Sequence, residues 1–409
     1  MWMASRDYRR NHYVPQWYQR RFFLPEGKEE KFHYLDLLPD TFTDLTGSTR
    51  TKTALRRWGT PRCFCQDDLY TTRFGAWEST EIEEKFFGEI DRNGRRALEY
   101  FSNFEHPSVD TDAFHNLLIY MSTQKLRTPK GLAWLAAQSS TLDKNTLLFV
   151  MQDIKQMHCA IWTECVWQIA DASRSSTKFI ISDHPVTVYN RACFPMSRWC
   201  RGTNDPDIRL HGTHTLFPLS IEKVLILTNL SWVRNPYQRP RKLRPNPNLF
   251  PPAMFNFMDI QTHRHLSETE VHEVNLIIKK RALRYIAAAR KDWLYPEKYM
   301  PTQHWSKLGA GYLLMPDPRS IAFSREIFIG YKDKRSDSFD EYGRKPWQEG
   351  YKDEELADRE WKTFHRFQGE FARLYGPGRR GRSFRMLRLD PERDDGDYHR
   401  YHLGLEKKF

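Results

Sequence analysis

Lys178-Phe179-Ile180-Ile181-Ser182-Asp183-His184-Pro185-Val186-Thr187-Val188-Tyr189 is the stretch on which the fold turns. Its two apolar, β-rich runs, 178–181 and 186–189, read as strands. The polar Ser-Asp-His-Pro between them reads as a tight connection at a sheet end. Val224-Leu225-Ile226-Leu227 is a further strand and Met254-Phe255-Asn256-Phe257-Met258 a weaker one. Ser267-x-x-Glu270 is a capping box, in which side chains satisfy the free N–H groups of a helix start. It opens a closing helix near 268–290, with Val271, Val274, Ile278, Ala282 and Ile286 on the apolar face.

Upstream the pattern is helical. Thr80-x-x-Glu83 has the form of a second capping box, followed by Ile82, Phe86, Ile90, Ala97 and Phe101 at near-helical spacing. A second helix is expected from about Thr111 to Leu126, ended by Pro129. A third is expected from about Asn145 to Ala170, along Leu148, Met151, Ile154, Met157, Ile161 and Cys165. Residues 1–75 carry short strands, among them 31–37. Helices, then strands, then a helix imply an α+β domain over 1–292, its helical first half packed on a small, mainly antiparallel sheet. Residues 293–409 read as a charged, partly flexible extension. Asp333 to Glu360 mixes both signs without an apolar stripe, and Gly376-Pro377-Gly378-Arg379-Arg380-Gly381-Arg382 resembles a basic arm.

Sixty-four Lys and Arg against 52 Asp and Glu give a net charge of +12, which favours anionic partners, nucleic acid among them. No apolar run follows Met1 and none approaches the roughly 18 residues a membrane helix needs, so a cytoplasmic protein is expected, with no membrane partner. Six cysteines are too few for a disulfide scaffold in a chain this long. Cys63-x-Cys65 has one intervening residue where zinc pairs have two to four, and no metal-ligand set is read elsewhere. The phosphate-cradling, dinucleotide, nucleophile-elbow and His-Glu-x-x-His templates are missing, and Glu222-Lys223 lacks the residue that a restriction-type nuclease core places between Glu and Lys.

The candidate chemistry begins at Asn11-His12-Tyr13-Val14-Pro15-Gln16, with Tyr18, Arg20, Arg21 and Phe22 following. His12 can exchange a proton near neutral pH, and Pro15 forces extended backbone before it. The ring is thus either a catalytic group or an anchor for the N-terminal strand. Gln124 and Arg127 share a helix face. A buried guanidinium needs a partner, so Arg127 holds an anionic substrate or pairs with a carboxylate such as Asp183. Asp183 in turn can bind a divalent metal, orient His12, or cap its own turn. Asn275, on the stripe of the closing helix, can reach the same region.

Together these segments resemble the HYVP-motif proteins, domain-of-unknown-function family 4238. The resemblance rests on Asn11 to Phe22, on Gln124-Lys125-Leu126-Arg127-Thr128-Pro129, on Phe179 to Val186, and on Phe217-Pro218-Leu219-Ser220, in that order, with Asn275 in the final helix. It covers roughly residues 10–290 and departs at His184, where relatives lead one to expect Asn. It implies kinship and carries no activity.

Two functional readings stand. One is a nucleic-acid-acting hydrolase that cleaves phosphodiesters. His12 is its general acid or base, Arg127 stabilises the phosphoryl oxygens, and Asp183 orients His12 or holds a metal. Gln16, Arg21, Gln124, His184 and Asn275 would contact substrate, and the basic loop Arg234 to Arg244 would help to hold it. The other is a non-catalytic module binding nucleic acid or protein, in which the same residues form a polar network that fixes the fold. The cofactor is left open: a divalent metal at Asp183 is admitted, without a ligand motif to support it.

Overall fold

The change of patterning at Lys178 marks a crossing between two sheets. A computed structural model describes residues 10–27, 29–44, 47–74, 77–104, 110–139, 143–243, 260–321, 326–330, 332–340 and 343–375. The weak strand expected at 254–258 and the basic arm from Gly376 lie outside the described residues. Strand Ile181–Ser182 belongs to a four-stranded antiparallel sheet, in the order Ile181–Ser182, Tyr285–Ala288, Phe32–Asp36, Leu55–Trp58. Strand Thr187–Asn190 belongs to a five-stranded sheet that continues through Thr213–Pro218, Lys223–Thr228, Val166–Asp171 and Gln261–His265. Its last pair is parallel and the others antiparallel. The class is α+β, with two larger sheets where one small sheet was expected. Strands Thr213–Pro218 and Lys223–Thr228 are buried at nearly every position, as the continuous apolar run Val224 to Leu227 leads one to expect of a strand covered on both faces.

Helices Gly88–Ser102 and Thr111–Arg127 pack against each other in the first half. The third expected helix is instead a helix Lys144–Asp153, a short helix Cys159–Thr163 and the strand Val166–Asp171. Val166-Trp167-Gln168-Ile169-Ala170 pairs on both sides, and that pairing outweighs the helical stripe. Pro129 ends one helix and also begins the next, Pro129–Ser139, where its missing N–H costs nothing.

The two expected capping boxes diverge. At Ser267 both reciprocal bonds form, 3.3 Å to the Glu270 N–H and 2.8 Å back from the Ser267 N–H. At Thr80 the hydroxyl donates to Glu84 Oε1 at 2.8 Å, and the chain enters a π-helical turn, Ile82–Phe87. Glu83 is left with Oε2 buried and without a hydrogen bond. The closing helix spans Glu268–Arg281, short of 290. Ala282 is extended (ψ 149°), and Ile286 lies in strand Tyr285–Ala288 between two partners.

Beyond residue 292 the chain still contributes to the interior. Trp293, Leu294, Trp305, Leu308, Leu313 and Leu314 join the main core. Helix Glu354–Tyr375 buries Phe364, Phe367 and Phe371, an i, i+3, i+7 stripe, against Val233 and Met315. Each such ring contributes about 1.5–3 kcal/mol relative to exposure. Among the described residues no helix is long and apolar enough to cross a membrane.

Candidate functional site

The eight residues singled out from sequence divide between two networks and a cleft. The first network joins the N-terminal motif to the helix Thr111–Arg127. His12 ends strand Arg10–His12, opposite Cys65. Burial lowers its pKa, opposed by the carbonyls of Pro61 and Thr60 beside the ring. Its Nε2 is buried without a hydrogen bond. Gln16 accepts from the Thr60 hydroxyl at 3.0 Å. Gln124, fully buried, donates to the Tyr13 carbonyl at 2.8 Å and accepts from Arg127 Nε at 2.8 Å. Arg127 pairs with Asp91 at 2.8 Å, under the rings of Phe87 and Tyr120. Its carboxylate partner is therefore Asp91, and not Asp183 as anticipated. Glu83 is close enough to feel both charges; burial raises its pKa to about 7, with Arg127 opposing and Asp91 reinforcing.

The second network ties strands and turns together. Asp183 accepts from the backbone N–H groups of Leu283, Arg284 and Tyr285 at 2.9, 2.6 and 2.8 Å. It caps the turn from the closing helix into strand Tyr285–Ala288 rather than its own turn. Three N–H donors around a carboxylate disfavour a cation there. Burial raises the Asp183 pKa and those donors oppose it. Asn275 accepts from the Ile180 N–H at 3.1 Å and donates to the Lys178 carbonyl at 2.9 Å. Arg21 donates to the Leu219 carbonyl at 2.7 Å and to Ser102 Oγ at 2.6 Å. These side chains fasten one sequence landmark to another by satisfying buried backbone groups.

His184 leads elsewhere. It lines a cleft of about 700 Å³ between the helix pair at 111–139 and the loop that carries Arg198 to Arg209. Lys125 and Lys130 also line it and are 9% and 5% exposed; Arg281, 3% exposed, stands behind them. All three surround one carboxylate, Asp205, whose side chain is 8% exposed. Lys130 is 2.6 Å from Asp205 and Arg281 3.1 Å, and Lys125 bonds it as well. Burial would raise the Asp205 pKa, but Lys125, Lys130 and Arg281 hold it well below the usual carboxylate range. Burial, with Lys125 adding, lowers the His184 and His158 pKa values to about 3, so both rings are neutral at pH 7. Since Asp205 can only accept, His184 donates to it through Nε2 at 3.0 Å. Nδ1 then accepts from the Thr128 hydroxyl at 2.8 Å. The same hydroxyl oxygen accepts from the Gly131 N–H at 3.1 Å, capping helix Pro129–Ser139. Gly131 is required by this elbow: a Cβ there would sit 2.2 Å from the Lys125 carbonyl oxygen.

A second concavity of about 830 Å³ shares Arg198 and Trp199 with the cleft. Arg239, Arg241, Lys242 and Arg359 complete its charged lining, and no carboxylate occurs among the described residues that line it. The basic loop is pinned here. His211 and Gly212 donate to the carbonyls of Lys242 and Pro240, and a Cβ on Gly212 would meet Pro240 Cβ at 2.3 Å. Sequence reading placed this loop among the substrate contacts but passed over Lys130, Asp205, Arg281 and Asp91. The available signal was the pair Lys125 and Lys130 flanking Thr128-Pro129; nothing local announced that Asp205, 75 residues on, would meet them.

A family model described as a protein of unknown function (DUF4238) matches residues 10–292. No curated protein and no solved structure matches the chain.

Proposed function

We propose, for a chain that belongs to the DUF4238 family, that it acts on nucleic acid, with a strand along the basic groove and a phosphate in the adjoining cleft. The groove carries this reading: Arg198, Arg239, Arg241, Lys242 and Arg359 lie around Trp199 with no carboxylate among the described lining residues, and they lead into the cleft through Arg198 and Trp199. Exposed cations bind phosphates by releasing counterions, whatever the base sequence, and an aromatic ring among them offers a stacking surface. Phosphodiester hydrolysis is the reaction proposed for the cleft. Lys125 and Lys130 would stabilise charge on the phosphoryl oxygens. His158, held at Nδ1 by Ser122 at 3.0 Å, is an uncharged imidazole on the cleft wall that can accept a proton from an attacking water. A bound phosphate raises the ring's affinity for that proton.

The test uses labelled single- and double-stranded DNA and RNA, in Mg²⁺, Mn²⁺ or EDTA. Wild type is expected to bind with strong salt dependence. An Arg239→Ser/Arg241→Ser/Lys242→Ser variant should reduce the slope of log K against log salt by roughly 2–3. Cleavage by wild type that is lost in folded His158→Gln supports the hydrolase; binding without cleavage leaves a binding module. No binding to any of the four substrates overturns the reading.

A further inference from the structure

We infer that the cleft is a site for a phosphomonoester dianion, as carried by a phosphorylated strand end or by a free nucleotide, in preference to an internal phosphodiester. The inference rests on the nucleic-acid reading above and specifies what enters the cleft: attack of hydroxide on a diester gives a dianionic phosphorane, so a cluster that favours a terminal phosphate dianion over a bound diester also favours the transition state of diester cleavage. Its ground is an imbalance of buried charge. Lys125, Lys130 and Arg281 all lie within ion-pair distance of Asp205, and His184 is neutral when it donates to that carboxylate. Asp183 also attracts Lys130, from beyond ion-pair distance, while its oxygens accept from the N–H groups of Leu283, Arg284 and Tyr285. Asp207 adds no net charge, since Arg209 pairs with it at 2.5 Å. Counted within ion-pair distance, the cluster therefore holds two positive charges in excess, in side chains almost removed from water, where uncompensated charge is costly. An internal diester brings one negative charge and leaves one cation unmet. A monoester brings about 1.5 to 2 at pH 7 and closes the balance.

Hydrogen bonding agrees with the charge. An ammonium has three N–H donors. Lys125 directs one to Asp205, and Lys130 directs two, to Asp205 and to the Arg281 carbonyl at 2.8 Å. Three N–H groups on the two lysines thus remain for acceptors in the cleft they line. Arg281 Nε and Nη2 are buried and make no hydrogen bond, although Nη2 faces Asp205 as an ion pair. The cluster is built rather than adaptable. Thr128, His184 and Asp205 form a continuous hydrogen-bonded chain behind it, and the Gly131 elbow fixes Lys125 relative to Lys130. Trp134 and Trp199, both half-buried, also line the cleft and offer ring faces to a base attached to the phosphate.

The experiment measures, for full-length protein at pH 7.5, the affinities of one oligonucleotide with a 5′-phosphate, a 3′-phosphate or hydroxyl ends, and of adenosine monophosphate. A phosphorylated end is expected to bind roughly ten- to hundredfold more tightly than the hydroxyl-ended strand. Lys125→Met and Lys130→Met should each abolish that preference. The Arg239→Ser/Arg241→Ser/Lys242→Ser variant should weaken all strands alike and preserve it. Adenosine monophosphate binding, with strands showing no end preference, assigns the site to a free nucleotide. Equal binding of all three strands without monophosphate binding overturns the inference while leaving the groove reading intact. Binding of neither strands nor monophosphate removes both. The wild-type comparison decides the matter even where a lysine variant fails to fold.

Discussion

Lys125 and Arg127 stand two residues apart at the end of one helix, about 200° apart around its axis. They end in opposite electrostatic company. Arg127 meets Asp91, the amide of Gln124 and two aromatic faces, with Glu83 nearby. Its charge is answered inside the fold. Lys125 meets Lys130 and Arg281 around a single Asp205, on the wall of an open cleft. That charge is answered only in part. Burial of a charged side chain, common to both, does not distinguish a structural group from a functional one; the local balance of charge and access to a cavity do.

The comparison breaks most easily by mutation. Arg127→Met, which leaves Asp91 without its cation, is expected to destabilise by about 3–5 kcal/mol in urea unfolding. Lys125→Met removes one of three like charges and should cost only about 1 kcal/mol, the worth of an ordinary hydrogen bond. The reverse order would dissolve the distinction.

Acid should weaken the cleft together with the buried His214, whose pKa burial also lowers to about 3. His158 and His184 titrate near 3 when folded and near 6.5 when unfolded, so below pH 6.5 the unfolded chain binds more protons. Stability is therefore full above pH 6.5 and falls as pH drops toward 3, by about 1.4 kcal/mol per pH unit for each ring. Thermal unfolding of wild type, His184→Gln and His158→Gln from pH 7 to 5 checks the slope. Ligand should reinforce the same region. Adenosine monophosphate at ten times its Kd is expected to add about 1.4 kcal/mol of stability to wild type. It should add none to Lys130→Met.

The Arg127 side responds in the opposite direction and more weakly. Glu83, pushed up to about 7, binds more protons folded than unfolded between pH 4.5 and 7, so its contribution is lost as pH rises through that window. Glu83→Gln is expected to raise stability by up to about 3 kcal/mol at pH 8 and to change little at pH 4.5. A stabilisation equal at both pH values would assign the gain to packing instead.

How much of this could be read from the sequence depends on the range of the interaction. Ser267-x-x-Glu270 is local, and its bonds form as written. Thr80-x-x-Glu83 is equally local but yields to a π-turn, with Glu84 taking the hydroxyl. Val166 to Ala170 sits at the end of a helical stripe, and only partners 54 or more residues downstream make it a strand. The landmark side chains were visible, but their jobs span distance: Gln124 reaches a carbonyl 111 residues away, and Asp183 caps a turn 100 residues on. The cleft was the least legible part. Lysines, an aspartate and an arginine spread over 157 positions, from Lys125 to Arg281, look like ordinary surface charges until the fold gathers them.

The most direct test of the central claim is calorimetric titration of the 5′-phosphorylated oligonucleotide into wild type, Lys130→Met and Arg127→Met, each below its own unfolding temperature. Lys130→Met should melt close to wild type and lose about tenfold or more in affinity, while Arg127→Met should melt far lower yet bind as wild type does. Wild-type affinity in Lys130→Met, or lost binding in a folded Arg127→Met, would contradict the account.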